Sequence, residues 1–193
     1  HRRKDRYMQD LKEKVIVITG GSSGYGKGMA ERFHDLGSHV IITGTNGERL
    51  EEAKQQIGGI AAIKSDATKP EEWEKLHDFV EKTYGRIDVL VNNAGSGVSV
   101  KEITEQSIED IDYILKLNLN SVAYGCRIFG RMMKKQKDGT IINISSACAT
   151  EAWPNFNVYA AAKAGVVALS KGCYTELRPY NVRVTAIIPG AGD

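Results

Sequence analysis

The alternation of short β-branched runs with helical patterns constrains this chain more than any other feature. Residues 14–19 read Lys14-Val15-Ile16-Val17-Ile18-Thr19, apolar on both faces, as a strand covered from two sides requires. Comparable runs follow at residues 39–43, 60–64, 87–91, 140–145 and 182–188. Helical patterns lie between them. Tyr25, Met29, Ala30, Phe33 and Leu36 recur at helical spacing, and a polar helix is predicted over 48–57. Pro70 opens another, with Glu71 and Glu72 in its first turn, and it ends near Gly85. Trp73, Leu76, Phe79 and Val80 are expected on its buried face. Two helices fill 107–136, and a long one fills 157–178 until Pro179 stops it. Strands separated by helices define an α/β fold, a doubly wound parallel sheet covered on both faces. With 193 residues and no internal repeat or linker, the chain is expected to form a single domain.

Open sheets of this kind bind ligands at the carboxyl ends of their strands. Turn-forming and polar residues gather at that edge. Gly20-Gly21-Ser22-Ser23-Gly24-Tyr25-Gly26 follows the first strand, and Thr45 and Asn46 follow the second. Asp66 follows the third, Asn93-Ala94-Gly95 the fourth, Ser146 the fifth, and Pro189-Gly190 the sixth. Singly, each residue is ordinary in a turn; six groups at one edge point to a binding site. The first strand, glycine turn and helix have the layout of a dinucleotide site. Gly20 permits the tight turn, Gly24 lets backbone approach a pyrophosphate, and Gly26 lets helix and strand pack closely. The helix N-terminus offers unpaired N–H groups to phosphate.

Tyr159 and Lys163 stand four residues apart on the long helix, so they share a face. The ammonium of Lys163 near the phenol is expected to favour phenolate and lower its pKa. Ser146, thirteen residues before Tyr159, offers a hydroxyl to hold a substrate oxygen while Tyr159 passes it a proton.

In order, Thr19-Gly20-x-x-x-Gly24-x-Gly26, Asn92-Asn93-Ala94-Gly95, Asn118, Ser146, Tyr159-x-x-x-Lys163 and Pro189-Gly190 resemble the motifs of the short-chain dehydrogenase/reductase family. The resemblance runs from about residue 11 to 190. It implies a Rossmann-like fold and hydride transfer between NAD(P)(H) and a ketone or secondary alcohol. It assigns catalysis to Asn118, Ser146, Tyr159 and Lys163. It assigns the cofactor to Gly20, Ser22, Ser23, Gly24, Tyr25, Gly26, Thr45, Asn46, Asp66, Ala67, Asn93, Ala94, Gly95, Tyr159, Lys163, Pro189 and Gly190. Asp66 would meet the adenine amino group, Lys163 the nicotinamide ribose, and Asn118 a water of the proton relay. Gly44 stands where NAD-using relatives carry Asp, while Thr45 and Ser23 stand where basic residues are common in NADP-using ones. With no acid to repel a 2′-phosphate, NADP(H) is favoured over NAD(H). Family members continue past the sixth strand through a substrate loop, a helix and a seventh strand, which this chain lacks. They pair the helices at 117–135 and 158–178 with a neighbour's copies, so a homodimer or homotetramer is expected. Val122, Ala123, Ile128, Phe129, Met132 and Met133 on the first helix, with Val166, Val167, Leu169 and Cys173 on the second, give apolar faces wider than one sheet contact needs.

A net charge of +2 calls for neither nucleic acid nor an acidic membrane. Much of the excess lies in residues 1–10, read as a tag remnant or disordered arm, with the domain at 11–193. No apolar stretch reaches transmembrane length. Cys126, Cys148 and Cys173 fit free thiols in a reducing cytoplasm, and His1, His34, His39 and His77 show no metal-ligand spacing. The expected substrate is a small carbonyl or alcohol. The alternative is a non-catalytic nucleotide-sensing or scaffold protein on the same fold.

Overall fold

The computed structural model describes residues 10–96 and 100–189. The first ten residues therefore lie outside the described ones except for Asp10. Six strands form one parallel sheet: β1 (Val15–Thr19), β2 (His39–Gly44), β3 (Ala61–Lys64), β4 (Val89–Asn92), β5 (Gly139–Ile144) and β6 (Val182–Ile187). Their spatial order is β3-β2-β1-β4-β5-β6. The order reverses between β1 and β4, which is where such a sheet opens a crevice for a ligand. In register, Thr19 stands opposite Thr43 and Ile18 opposite Val91.

The β1 run is apolar throughout because both of its faces are covered. Val15 and Val17 join the core beneath α3 (Pro70–Tyr84), α5 (Ser121–Gln136) and α6 (Asn157–Leu177). Ile16 and Ile18 join the core beneath α1 (Gly24–Asp35) and α2 (Gly47–Ile57). Successive side chains of a strand point to opposite faces, so one strand feeds two cores.

Local chemistry sets the helix ends. Asn46 caps α2 by accepting from the Arg49 backbone N–H at 3.1 Å. Pro70 begins α3, and Gly85, left-handed at φ 70°, ends it. Trp73, Leu76 and Val80 are buried along α3. Phe79 departs from expectation and is 36% exposed. At 100° per residue it sits on the flank of the stripe, where it meets Tyr84 edge-on. Pro179 ends α6 by opening a one-turn 3₁₀ segment, Arg178–Tyr180. The region read as two helices is one continuous rod: α4 (Ile108–Leu115), a π-helical turn at Lys116–Asn120, then α5.

Candidate active site

Thr19, the last residue of β1, organises the crevice. Its Oγ1 accepts the backbone N–H of Asn93 and of Ala94, both at 3.0 Å, which fixes the β4 loop to the β1 end. The Asn93 side chain returns a bond from Nδ2 to the Gly20 carbonyl at 2.9 Å. Gly20 turns with φ +62°. Gly26 packs against this turn, and a Cβ on it would run into the Gly20 carbonyl oxygen and Asn93 Nδ2. Close backbone approach is therefore the reason for glycine here. Gly24 also has positive φ, at +55°, in open space at the α1 N-terminus, beside exposed Ser23 and Tyr25.

A cleft of about 320 Å³ opens along this edge. Gly20, Ser22, Ser23, Thr45, Asn46, Asp66, Ala67, Ala94 and Gly95, all expected in the site, line it. Arg49, Ser65, Ser96, Tyr113 and Leu117 line it too and were not expected. Arg49 escaped notice because it lies on a helix and not at a strand end. Asp66 is partly committed: its Oδ1 accepts from the Thr68 backbone N–H at 2.9 Å and the Thr68 hydroxyl at 2.7 Å. A larger cavity of about 560 Å³ lies between α3 and α5, among charged groups such as Glu74, Glu81, Arg131 and Lys135. None of the motif residues reaches it.

The second half of the site lies beyond Gly95. Ser146 caps a short turn after β5, its Oγ accepting from the Cys148 N–H at 3.2 Å. Its hydroxyl lies near enough to the Tyr159 phenol to favour the phenolate. Lys163 is only 4% exposed, and its Nζ donates to the Ile144 carbonyl at 3.1 Å. Ser145 fixes the same helix by donating to the Lys163 carbonyl at 3.0 Å. The π-helical turn carries fully buried Asn118. Its Nδ2 donates to the Ser96 and Ile114 carbonyls, at 2.9 and 3.0 Å. Its Oδ1 has no hydrogen-bond partner among the described residues. That oxygen and Lys163 Nζ converge on Gly95: a Cβ there would lie 2.5 Å from the oxygen and 3.2 Å from the nitrogen. Pro189 follows β6 at the same edge, and Gly190 lies outside the described residues.

The electrostatics differ from expectation at Tyr159. Its pKa is raised above the ordinary value by burial, and the nearby Ser146 hydroxyl only partly opposes this. Lys163 Nζ sits 5.8 Å from the ring centroid, and its hydrogen bond goes to the Ile144 carbonyl. The expected lowering of the phenol by Lys163 does not appear: burial dominates, and the Lys163 charge has no part in the shift. Burial also lowers Lys163 itself, from 10.5 to about 8.

The residues fit a dinucleotide. They offer a glycine turn that a Cβ would fill, a hydroxyl-rich cleft at a helix N-terminus, and a buried unpaired oxygen beside a lysine.

Known proteins resemble this chain over nearly its whole length. The short chain dehydrogenase family model matches residues 14–193. The chain is 36% identical over 186 residues to an NADP-dependent (R)-specific alcohol dehydrogenase of Lentilactobacillus kefiri, covering 93% of this chain and 73% of that one. It is 31% identical over 188 residues to an uncharacterised oxidoreductase of Staphylococcus aureus, covering 96% of this chain and 81% of the relative. A metagenomic short-chain oxidoreductase solved in complex with NADP superposes with a TM-score of 0.89 at 31% identity, covering 94% of this chain and 84% of the other. This chain belongs to the short-chain dehydrogenase/reductase family, and its doubly wound sheet is the Rossmann-like fold of an oxidoreductase.

Proposed function

We propose that the protein is an NADP(H)-preferring oxidoreductase that reduces a small ketone to a secondary alcohol. The observation that carries this reading is the convergence of Asn118 Oδ1 and the buried Lys163 Nζ on Gly95 at the ligand edge of the sheet, with the Tyr159 ring 5.8 Å from that Nζ, one turn earlier on α6. The bound nicotinamide supplies the hydride. Ser146 holds the carbonyl oxygen, and Tyr159 gives it a proton from its Oη. A phenol whose pKa burial has raised is protonated at neutral pH. It therefore carries the proton that the carbonyl oxygen takes up in the reducing direction. Lys163 supplies positive charge to the nicotinamide ribose and to the developing phenolate. Asn118 Oδ1, with Lys163 Nζ, orients the path by which the proton is replaced.

The absence of a carboxylate at Gly44, Thr45 and Asn46 supports NADP(H). So do the NADP dependence of the Lentilactobacillus relative and the NADP held in the metagenomic structure. The half-buried Ala123 and Ile128 on α5, with Val167, Leu169 and Cys173 on α6, support a homodimer or homotetramer through these helices. Light scattering that reads a monomer at micromolar concentration removes that part of the reading. Three free thiols support a cytoplasmic setting, which cell fractionation tests.

The decisive experiment is Tyr159→Phe, assayed by absorbance of the reduced nicotinamide across a panel of ketones. Turnover should fall by a factor of roughly 10² to 10⁴, with NADPH binding within about twofold because the ring remains. Undiminished turnover in the variant refutes Tyr159 as the acid.

A further inference from the structure

We infer that Arg49 recognises the 2′-phosphate of an adenine ribose, and so sets the choice between NADP(H) and NAD(H). This rests on the reading of the cleft as a nicotinamide-dinucleotide site.

Among the residues lining the cleft, Arg49 is the one cation and Asp66 the one carboxylate. Asp66 already accepts two hydrogen bonds from Thr68. The guanidinium of Arg49 has no partner among the described residues; only its backbone N–H is engaged, by Asn46. Arg49 is exposed, so its charge is not needed for packing. Its place explains its direction. Asn46 caps α2, and Arg49 is the third helical residue. Helical side chains tilt toward the N-terminus, so Arg49 leans back over the cap toward the end of β2. Its neighbour Glu48 points away around the helix and does not line the cleft.

The cleft wall at this point is made of hydroxyl and amide groups, from Ser22, Ser23, Thr45 and Asn46. Gly44 contributes no side chain between them and the cleft: a Cβ there would come within 3.4 Å of Ser22 Oγ. A hydroxyl-lined recess with a single unpaired guanidinium suits a phosphate monoester, which takes a planar fork of N–H donors from arginine. A ribose 2′-hydroxyl has no charge to offer this cation and gains little from it. The discriminating cation thus comes from the first turn of α2, although the strand end itself carries none.

The test uses the intact protein, titrated calorimetrically with 2′,5′-ADP and with 5′-AMP, which share the adenosine and differ at the 2′-phosphate. Arg49→Gln, which keeps a polar side chain but removes the charge and shortens the reach, should lose on the order of tenfold or more in affinity for 2′,5′-ADP. Affinity for 5′-AMP should stay within about twofold. Raising NaCl should weaken 2′,5′-ADP binding more steeply in the wild type than in Arg49→Gln. Arg49→Ala should behave alike, and both variants should melt with the wild type because Arg49 is exposed. Equal losses for the two nucleotides, or none for either, overturn the inference while the oxidoreductase reading stands. If the wild type binds neither nucleotide, both fall. If 2′,5′-ADP binds through Arg49 but no ketone is turned over, the inference stands and the oxidoreductase reading falls.

Discussion

Lys163→Met should make the protein more stable at pH 7 and inactive. Lys163 is a buried ammonium, 4% exposed, with one hydrogen bond to the Ile144 carbonyl. Burial lowers its pKa from 10.5 to about 8. At ~1.4 kcal/mol for each tenfold in proton affinity, holding the charged form costs about 3 kcal/mol. Methionine fills a similar volume without the charge but gives up the hydrogen bond, worth about 1 kcal/mol. The variant should therefore gain about 2 kcal/mol at pH 7. The sign of the pH dependence follows from proton counting. Below pH 8 the lysine is protonated in both folded and unfolded chains, so the penalty is fully present and constant. Between about 8 and 10.5 the unfolded chain keeps a proton that the folded chain has released. Wild-type stability therefore rises with pH across that window, by up to ~1.4 kcal/mol per pH unit. Above 10.5 only the lost hydrogen bond separates the two proteins, and the variant becomes slightly the less stable. Urea unfolding, followed by the fluorescence of buried Trp73 at half-unit steps from pH 6.5 to 10.5, measures the difference directly. Other titrating groups cancel between the two proteins. A variant that is less stable at pH 7, by an amount that does not change up to pH 10, refutes the picture of Lys163 as a strained buried cation.

Gly26→Ala should abolish nucleotide binding and destabilise the fold by about 1–3 kcal/mol. The new methyl meets the Gly20 backbone carbonyl, which cannot rotate away; thermal melting and nucleotide titration read the two effects. Gly44→Asp should move the NADP(H):NAD(H) affinity ratio toward NAD(H) by at least about tenfold, by placing a carboxylate where a 2′-phosphate would lie. The site tolerates it sterically, with Ser22 Oγ 3.4 Å from the new Cβ; side-by-side titration with both cofactors checks the shift, and an unchanged ratio removes Gly44 from the discrimination.

Much of the fold was legible because the sheet is buried on both faces. A strand such as β1, with all five residues buried, can be read from composition alone. The strand-end positions of the site follow from the same logic, since each motif marks where a strand stops. What was not legible depends on contacts distant in sequence. The fourth strand was read from Ile87, yet β4 begins at Val89. The Gln136 side chain explains the difference: its Oε1 accepts from the Ile87 N–H and its Nε2 donates to the Ile87 carbonyl, 49 residues away. A side chain there does the work of a neighbouring strand, and no local pattern signals it. The π-helical turn at Asn118 was hidden for a similar reason. An extra residue per turn leaves the apolar spacing on either side intact, so the region reads as ordinary helix. The Tyr159 pKa was misjudged because spacing reveals a nearby charge but not the burial that opposes it.

Two buried amide oxygens, Asn92 Oδ1 and Asn118 Oδ1, have no hydrogen-bond partner among the described residues. Beneath the site the rest of the polar core is paired: Asn92 Nδ2 donates to Asn143 Oδ1 at 2.9 Å, and Asn143 Nδ2 to Ser170 Oγ at 2.9 Å. This ties β4, β5 and α6 together below the strand ends. At the edge itself the accounting changes. Asn118 Oδ1 is fully buried without a partner among the described residues, and Lys163 holds a buried charge against a single carbonyl. A buried unpaired oxygen costs about 1–3 kcal/mol, and the lysine costs a similar amount. Both destabilising groups face the one residue, Gly95, whose missing side chain leaves room between them. Imperfect packing alone accounts for Asn92 Oδ1, but it gives no reason for Asn118 Oδ1 and Lys163 Nζ to meet at one α-carbon on the sheet's ligand edge. Their convergence instead fits a site whose stability is completed by what binds there: any ligand that satisfies the oxygen and shares the charge recovers part of that free energy as affinity. The glycine at position 95 is then as much a part of the chemistry as Tyr159, because a Cβ at that position would occupy the space in which the two groups meet.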